Sequence, residues 1–291
     1  MDLEIVKQFV GEVSVPYLLL CVTGLVLFAR WLLKTRLGRK SLFGSLPRRN
    51  SMPPYMPFLP LLLWLGTVAL VFWLKPHLIG RLTGWKGVFL DNMILCASAI
   101  PAGAIVIIIA HTAFARRLRG FGFDLRAIHK DFGAALVNLL AILPLILAMV
   151  ELTSGAGKLI YGPQFQIRQH EELVQVAEYP ETALRVLIFI TAILVVPIFE
   201  EMLFRGLFQT MIRSFLEVVN PNLADGKAPW LSIVFVSVIF AAFHANPQHW
   251  PALFVLSLCL GYSYEKSGSL FRPIFIHSMF NALSVVSVLS Q

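Results

Sequence analysis

Eight apolar stretches recur along this chain, and they constrain its fold more than any other feature. They run from about Val13 to Leu33, Phe58 to Leu78, Asn92 to Phe114, Gly133 to Val150, Ala183 to Phe208, Trp230 to Ala245, Trp250 to Tyr264 and Leu270 to Leu289. Most approach the roughly 20 residues a helix needs to cross a bilayer. Inside lipid, every backbone N–H and C=O must be satisfied within the spanning structure, which helices of this length achieve unaided. Only 14% of the residues are charged, where a soluble domain carries about 25%. The expected fold is all-α, a polytopic membrane protein of about eight transmembrane helices.

The net charge of +8 does not point to nucleic acid. The bases cluster beside the apolar runs, as the positive-inside tendency demands. Lys34, Arg36, Arg39, Lys40, Arg48 and Arg49 follow the first run, and Arg116, Arg117, Arg119, Arg126 and Lys130 follow the third. With those loops cytoplasmic, both termini face away from the cytoplasm. The acidic start Met-Asp-Leu-Glu, with no small-residue cleavage site after the first run, reads as a retained span and not a signal peptide. Cys21, Cys96 and Cys259 each lie alone in an apolar run, with no metal spacing. The stretch from Glu151 to Pro180 reads as an exposed polar loop with a short helix. Residues 1–182 are taken as N-terminal helices and loops, and 183–291 as the functional core of one continuous membrane domain.

That core carries ionisable groups where they are costly. Glu200 and Glu201 close a run that begins at Val186, and intramembrane ionisable groups raise a functional hypothesis by default. Glu201 and Arg205 are four apart and can pair on one helix face. Glu200 is turned about 100° away and has no obvious partner in its own helix. Pro197 interrupts the hydrogen-bond ladder just upstream. Phe240 and His244 share a face of a later run, and so do His277 and Asn281 in the last one.

A carboxylate and an imidazole flanking one water can deprotonate it for attack on a peptide carbonyl. Imidazole and amide N–H groups can stabilise the oxyanion that follows. No serine or cysteine stands beside these groups as a nucleophile. Glu200, His244 and His277 would also form the two-histidine, one-carboxylate set of catalytic zinc, although no HExxH occurs. No cofactor is expected, with zinc as the alternative. His170 and His249 receive bland readings, the first in an acidic loop and the second as an interfacial anchor beside Trp250.

The ordered set of Glu200-Glu201 with Arg205, Phe240 with His244, and His277 with Asn281 resembles the three motifs of the CPBP family. These are intramembrane endopeptidases of the CAAX-protease and bacteriocin-processing type, also called the ABI family. The resemblance covers about Ala183 to Val288. It implies a glutamic-type protease with an intramembrane cavity open to the cytoplasmic side. It also implies water activation by Glu200 and His244, an oxyanion site at His277 and Asn281, and support from Glu201 and Arg205. The implied partners are a membrane-associated peptide or protein substrate and the lipid bilayer, and the implied setting is a bacterial inner or cell membrane. A transporter proton path, or a scaffold or immunity factor, is the rival reading. One tension follows from the run limits, which place Glu200 and His244 near opposite membrane faces. Either the fifth helix starts later and continues past Phe208, or the sixth starts within 226–229 and breaks before Asn246.

Overall fold

The computed structural model describes residues 15–45, 47–78, 82–223 and 226–289. The acidic start and the first two residues of the run expected from Val13 lie outside them. Nine helices of eight residues or more occur among the described residues. These are α1 (Val15–Lys34), α2 (Phe58–Leu78), α3 (Trp85–Ala113), α4 (Ile128–Tyr161), α5 (Glu171–Glu178), α6 (Thr182–Val219), α7 (Lys227–Ala242), α8 (Trp250–Ser267) and α9 (Phe271–Leu289). The described residues form no strand, and one isolated bridge joins Asn50 to Phe114. The chain is an all-α polytopic membrane protein.

Five helical segments are long and apolar enough to cross a membrane by length and composition: α1, α2, α3, the segment ending with α4, and α6. Five of the eight expected runs therefore meet this criterion among the described residues. Helix α7 is apolar but short. Helix α8 buries Ser257, Ser263 and Glu265, and α9 carries Arg272, His277 and Asn281. Their polar residues are tolerated because neighbouring helices shield and bond them.

Two boundaries also move. The fourth run was expected to stop at Val150, yet α4 continues to Tyr161. The helix carries Gly155 and Gly157 and ends only at Gly162, whose φ is 98°, so the first third of the expected Glu151–Pro180 loop is helical. The fifth run continues past Phe208 to Val219, and α7 begins at Lys227 and stops at Ala242. The fifth helix does not start later than Ala183, as the first remedy required, and the limits of α7 match the second remedy.

Helix α6 is not uniform. Its α-helical turns are interrupted by π-helical stretches at Thr191–Val195 and Met202–Gln209. They flank the Glu200-Glu201 pair, and such wide turns are often found at functional sites. The apolar core surrounds this region. Phe199, Leu203, Phe204 and Leu207 of α6 pack with Ala102 and Val106 of α3, Phe240 of α7, Leu256 and Leu260 of α8, and Ile276 of α9.

The N-terminal helix is seated by one small residue. A Cβ on Gly24 of α1 would lie 2.2 Å from the Leu140 carbonyl oxygen and 2.7 Å from the Pro144 ring of α4. Pro144 has no N–H to offer the Leu140 carbonyl, and Gly24 lets the α1 backbone close over that spot, as small residues do between membrane helices. Gly24→Ala is expected to cost about 1–3 kcal/mol through overpacking. It should speed hydrogen exchange in α1 while α6 stays protected. Unchanged exchange in α1 would show that the crossing is not tight.

Candidate active site

The site is built on α6 and closed by α7, α8 and α9. Glu201 and Arg205, one turn apart, form an ion pair of 2.9 Å with both side chains fully buried. The Arg205 guanidinium also donates to the Ser257 hydroxyl at 2.6 Å and lies 4.6 Å above the Phe240 ring. The same Glu201 oxygen accepts from His277 Nδ1 at 2.9 Å. Glu200, rotated away from this pair, brings Oε2 to 3.9 Å from His277 Nε2. That oxygen is buried and has no hydrogen-bond partner. The gap is too long for a direct hydrogen bond.

With Nδ1–H donated to the Glu201 carboxylate, the neutral His277 ring presents its Nε2 lone pair towards Glu200. A second proton on this ring, between two carboxylates, would make Nε2 a donor at the same place. His244 lies two residues past the end of α7, and its Nδ1 is 2.8 Å from the Phe240 carbonyl. As donor there, Nδ1–H leaves Nε2 free. The Phe240 ring stands between the two imidazoles, its centroid 4.9 Å from His244 and 5.8 Å from His277. Glu200, Glu201, Arg205, Phe240 and His277 are thus brought together directly, and His244 joins them through Phe240.

Asn281 is placed differently. Its Nδ2 donates to the Ala192 carbonyl at 2.7 Å. In the π-helical turn the Val196 N–H bonds Thr191, and the donor next in line for Ala192 would be Pro197, which has none. Asn281 therefore caps a carbonyl orphaned by Pro197 and ties α9 to the turn preceding Glu200. An oxyanion role would fall to its second amide hydrogen.

The zinc alternative requires Glu200, His244 and His277 to converge as ligands. Among the described residues, no three His, Cys, Asp or Glu side chains gather in a set able to hold a metal ion. Nδ1 of each histidine is engaged, with Glu201 and with the Phe240 carbonyl, which leaves Nε2 as the nitrogen each could offer a metal.

Several residues behind the site were missed from sequence. Arg205, Gln209 and Arg213 of α6 meet Ser257, Gly261 and Glu265 of α8 in parallel register. Gln209 Nε2 donates to the Gly261 carbonyl at 3.1 Å and to Glu265 at 3.0 Å. Arg213 pairs with Glu265 and with Glu217. The signal was present: Gln209 and Arg213 extend the four-residue stripe begun by Glu201 and Arg205, and Ser257 and Glu265 share one face of α8.

The two histidines given bland readings also come together. His170 and His249 stack with centroids 4.0 Å apart and planes 19° apart. Residues 163–170 cross over the 246–250 corner, with the Arg168 N–H donating to Gln248 Oε1 at 2.9 Å and the Arg168 carbonyl 2.8 Å from His249 Nε2. Burial, then His249 and His244, push the His170 pKa down from 6.5 to about 4. Burial likewise lowers His249. A depressed histidine pKa means that the open strap binds the proton first. The packed strap is therefore fully stable above pH 6.5 and loses stability as pH falls towards 4. The protection factor for hydrogen exchange at Arg168, corrected for the intrinsic pH dependence, should fall across that window and fall less in His170→Phe. An equal fall in His170→Phe would assign the effect elsewhere.

Residues 182–283 match the family model described as type II CAAX prenyl endopeptidase Rce1-like. No curated protein and no solved structure matches the chain. The matched segment opens with α6 and ends within α9, so it holds every side chain of the site just described. This match supports the likeness of the segment to the CPBP family of CAAX-type membrane proteases.

Proposed function

We propose that this protein hydrolyses peptide bonds of membrane-associated proteins or peptides with a water activated by Glu200. Glu200 takes a proton from the water, and the hydroxide attacks the scissile carbonyl. Peptide-bond cleavage then needs that proton on the leaving amine, and Glu200 is placed to return it. His244, held at Nδ1, offers Nε2 to orient the water. His277, held at Nδ1 by Glu201, would carry a proton on Nε2 throughout the cycle and offer it as a hydrogen bond to the developing oxyanion without transferring it. Arg205 and His277 hold Glu201 in place, and Glu200 is the carboxylate to which the proton transfer is assigned.

The observation that carries this reading is the buried, unpartnered Oε2 of Glu200, 3.9 Å from His277 Nε2. Its twin Glu201 is held by both Arg205 and His277. Two neighbouring carboxylates in environments this different are a pattern of acid–base catalysis. Glu201 Oε2 is also buried without a partner, so the contrast lies in the other oxygen of Glu201, which Arg205 and His277 both hold.

The test is cleavage of a prenylated CAAX peptide by purified protein in lipid bilayers. The wild type should release the tail tripeptide, and both Glu200→Gln and His277→Ala should not. Equal cleavage by Glu200→Gln would remove the mechanism. A wild type that cuts no membrane-anchored peptide would favour a transport or scaffold role. The proposal uses no metal, so a chelator should leave the rate unchanged. Loss restored by zinc would replace it with a metal route.

A further inference from the structure

Away from the Glu200 site, a groove of about 620 Å³ runs between α1, α4 and α8. Phe28, Ala141, Leu145, Val255 and Leu258 line it, with Arg30 and Lys34 as its bases. Trp230 of α7 is shared with a second hollow of about 910 Å³, lined by Arg36, Arg39, Lys40 and Lys227. None of these six bases has an ion pair or a side-chain hydrogen bond among the described residues, and no described acidic side chain lines either hollow.

The walls are tied together. Trp31 donates from Nε1 to the Tyr262 hydroxyl at 2.9 Å, Trp230 stacks on Tyr262, and Trp230 Nε1 reaches the Gly38 carbonyl at 3.3 Å. Lys266 holds the Ser41 carbonyl at 2.7 Å. Arg36 and Leu37 adopt left-handed φ values of 50° and 56°, followed by Gly38 at 81°. That conformation is unfavourable for residues with a Cβ, and it curls the chain so that Arg39 and Lys40 share a hollow with Trp230, next to the apolar groove. Membrane orientation alone explains bases after a span. It does not explain a strained turn that gathers them beside an apolar groove.

We propose that this pair of hollows binds an anionic membrane phospholipid, with an acyl chain in the groove and the phosphate among the bases of 36–40 and Lys227. The volumes fall in the range of small-molecule pockets, about 300–1,000 Å³. Basic pockets beside membrane helices recruit anionic headgroups. Helix α7 starts here with no side-chain cap, so its free N–H groups add to the field that attracts an anion. Helix α8 forms the far wall of the groove and also carries Ser257, which holds Arg205. The inference does not rest on the protease reading.

Native mass spectrometry of the full chain, titrated with phosphatidylglycerol or phosphatidylcholine, tests it. One phosphatidylglycerol should bind at least 10-fold more tightly than phosphatidylcholine. Each of Arg36→Gln, Arg39→Gln and Lys40→Gln should weaken it about fivefold, the worth of one base near a lipid surface. Ala141→Phe, which leaves the bases intact and fills the groove, should also abolish the tight site, and circular dichroism checks its fold. Equal affinity for the two lipids would overturn the proposal. So would tight binding that survives Ala141→Phe, which would mean that lipid merely surrounds the protein. Full competition by inorganic phosphate would reduce the site to an anion hollow without a chain and equally overturn it.

Discussion

Glu200→Gln is expected to lower the turnover of a prenylated CAAX peptide by about 10²–10⁴-fold, the range for removing a general base. The amide keeps the shape of the carboxylate but cannot accept a proton at neutral pH. Its effect on folding should be small, because Glu200 Oε2 makes no hydrogen bond that the substitution would break. The loss should fall on kcat, with little change in KM, since the interaction matters in the transition state. Glu201→Gln tests the contrast. That variant leaves Arg205 buried without its counter-charge, so it should impair both folding and turnover. If both variants lost turnover equally while folding equally well, the division of labour between the two carboxylates would be wrong.

The second large effect is on stability. Arg205→Met should destabilise the protein by about 3–5 kcal/mol, the cost of stranding one member of a buried ion pair. Arg205 is fully buried and binds Glu201, Ser257 and the face of Phe240. Removing it leaves an uncompensated carboxylate against His277. The double variant Arg205→Met with Glu201→Leu should regain much of the loss, because replacing both partners with apolar groups is far less costly than removing one. It should remain inactive, since His277 would lose the acceptor that orients it. Thermal unfolding in detergent gives the first quantity and peptide cleavage the second. A double variant no more stable than Arg205→Met would show that the pair is not the source of the destabilisation.

Helical spacing made part of this site legible. Glu201 and Arg205 pair because residues four apart share a helix face, and the same rule sets Phe240 beside His244. The place of Glu200 was legible only as a direction, away from Arg205. What it faces, His277 on α9, follows from packing between helices that lie far apart in the chain. Pro197 announced an irregular helix. Its consequence, a π-helical turn whose bare Ala192 carbonyl is capped by Asn281, required the last helix to be in place. The strap over the 246–250 corner was invisible, because His170 and His249 are 79 positions apart and neither belongs to a periodic pattern.

The amino-acid order by itself determined that this is a helical membrane protein. Hydropathy acts locally, and lipid admits few alternatives for long apolar runs. It also determined which polar residues share a face, because helical periodicity is a property of neighbouring positions. The tertiary structure decided which faces meet: the parallel seam of α6 with α8, the sharing of one Glu201 oxygen between Arg205 and His277, and the bare oxygen of Glu200. The reason is that buried polar groups choose partners by distance in space, and nothing in the local chain encodes that distance.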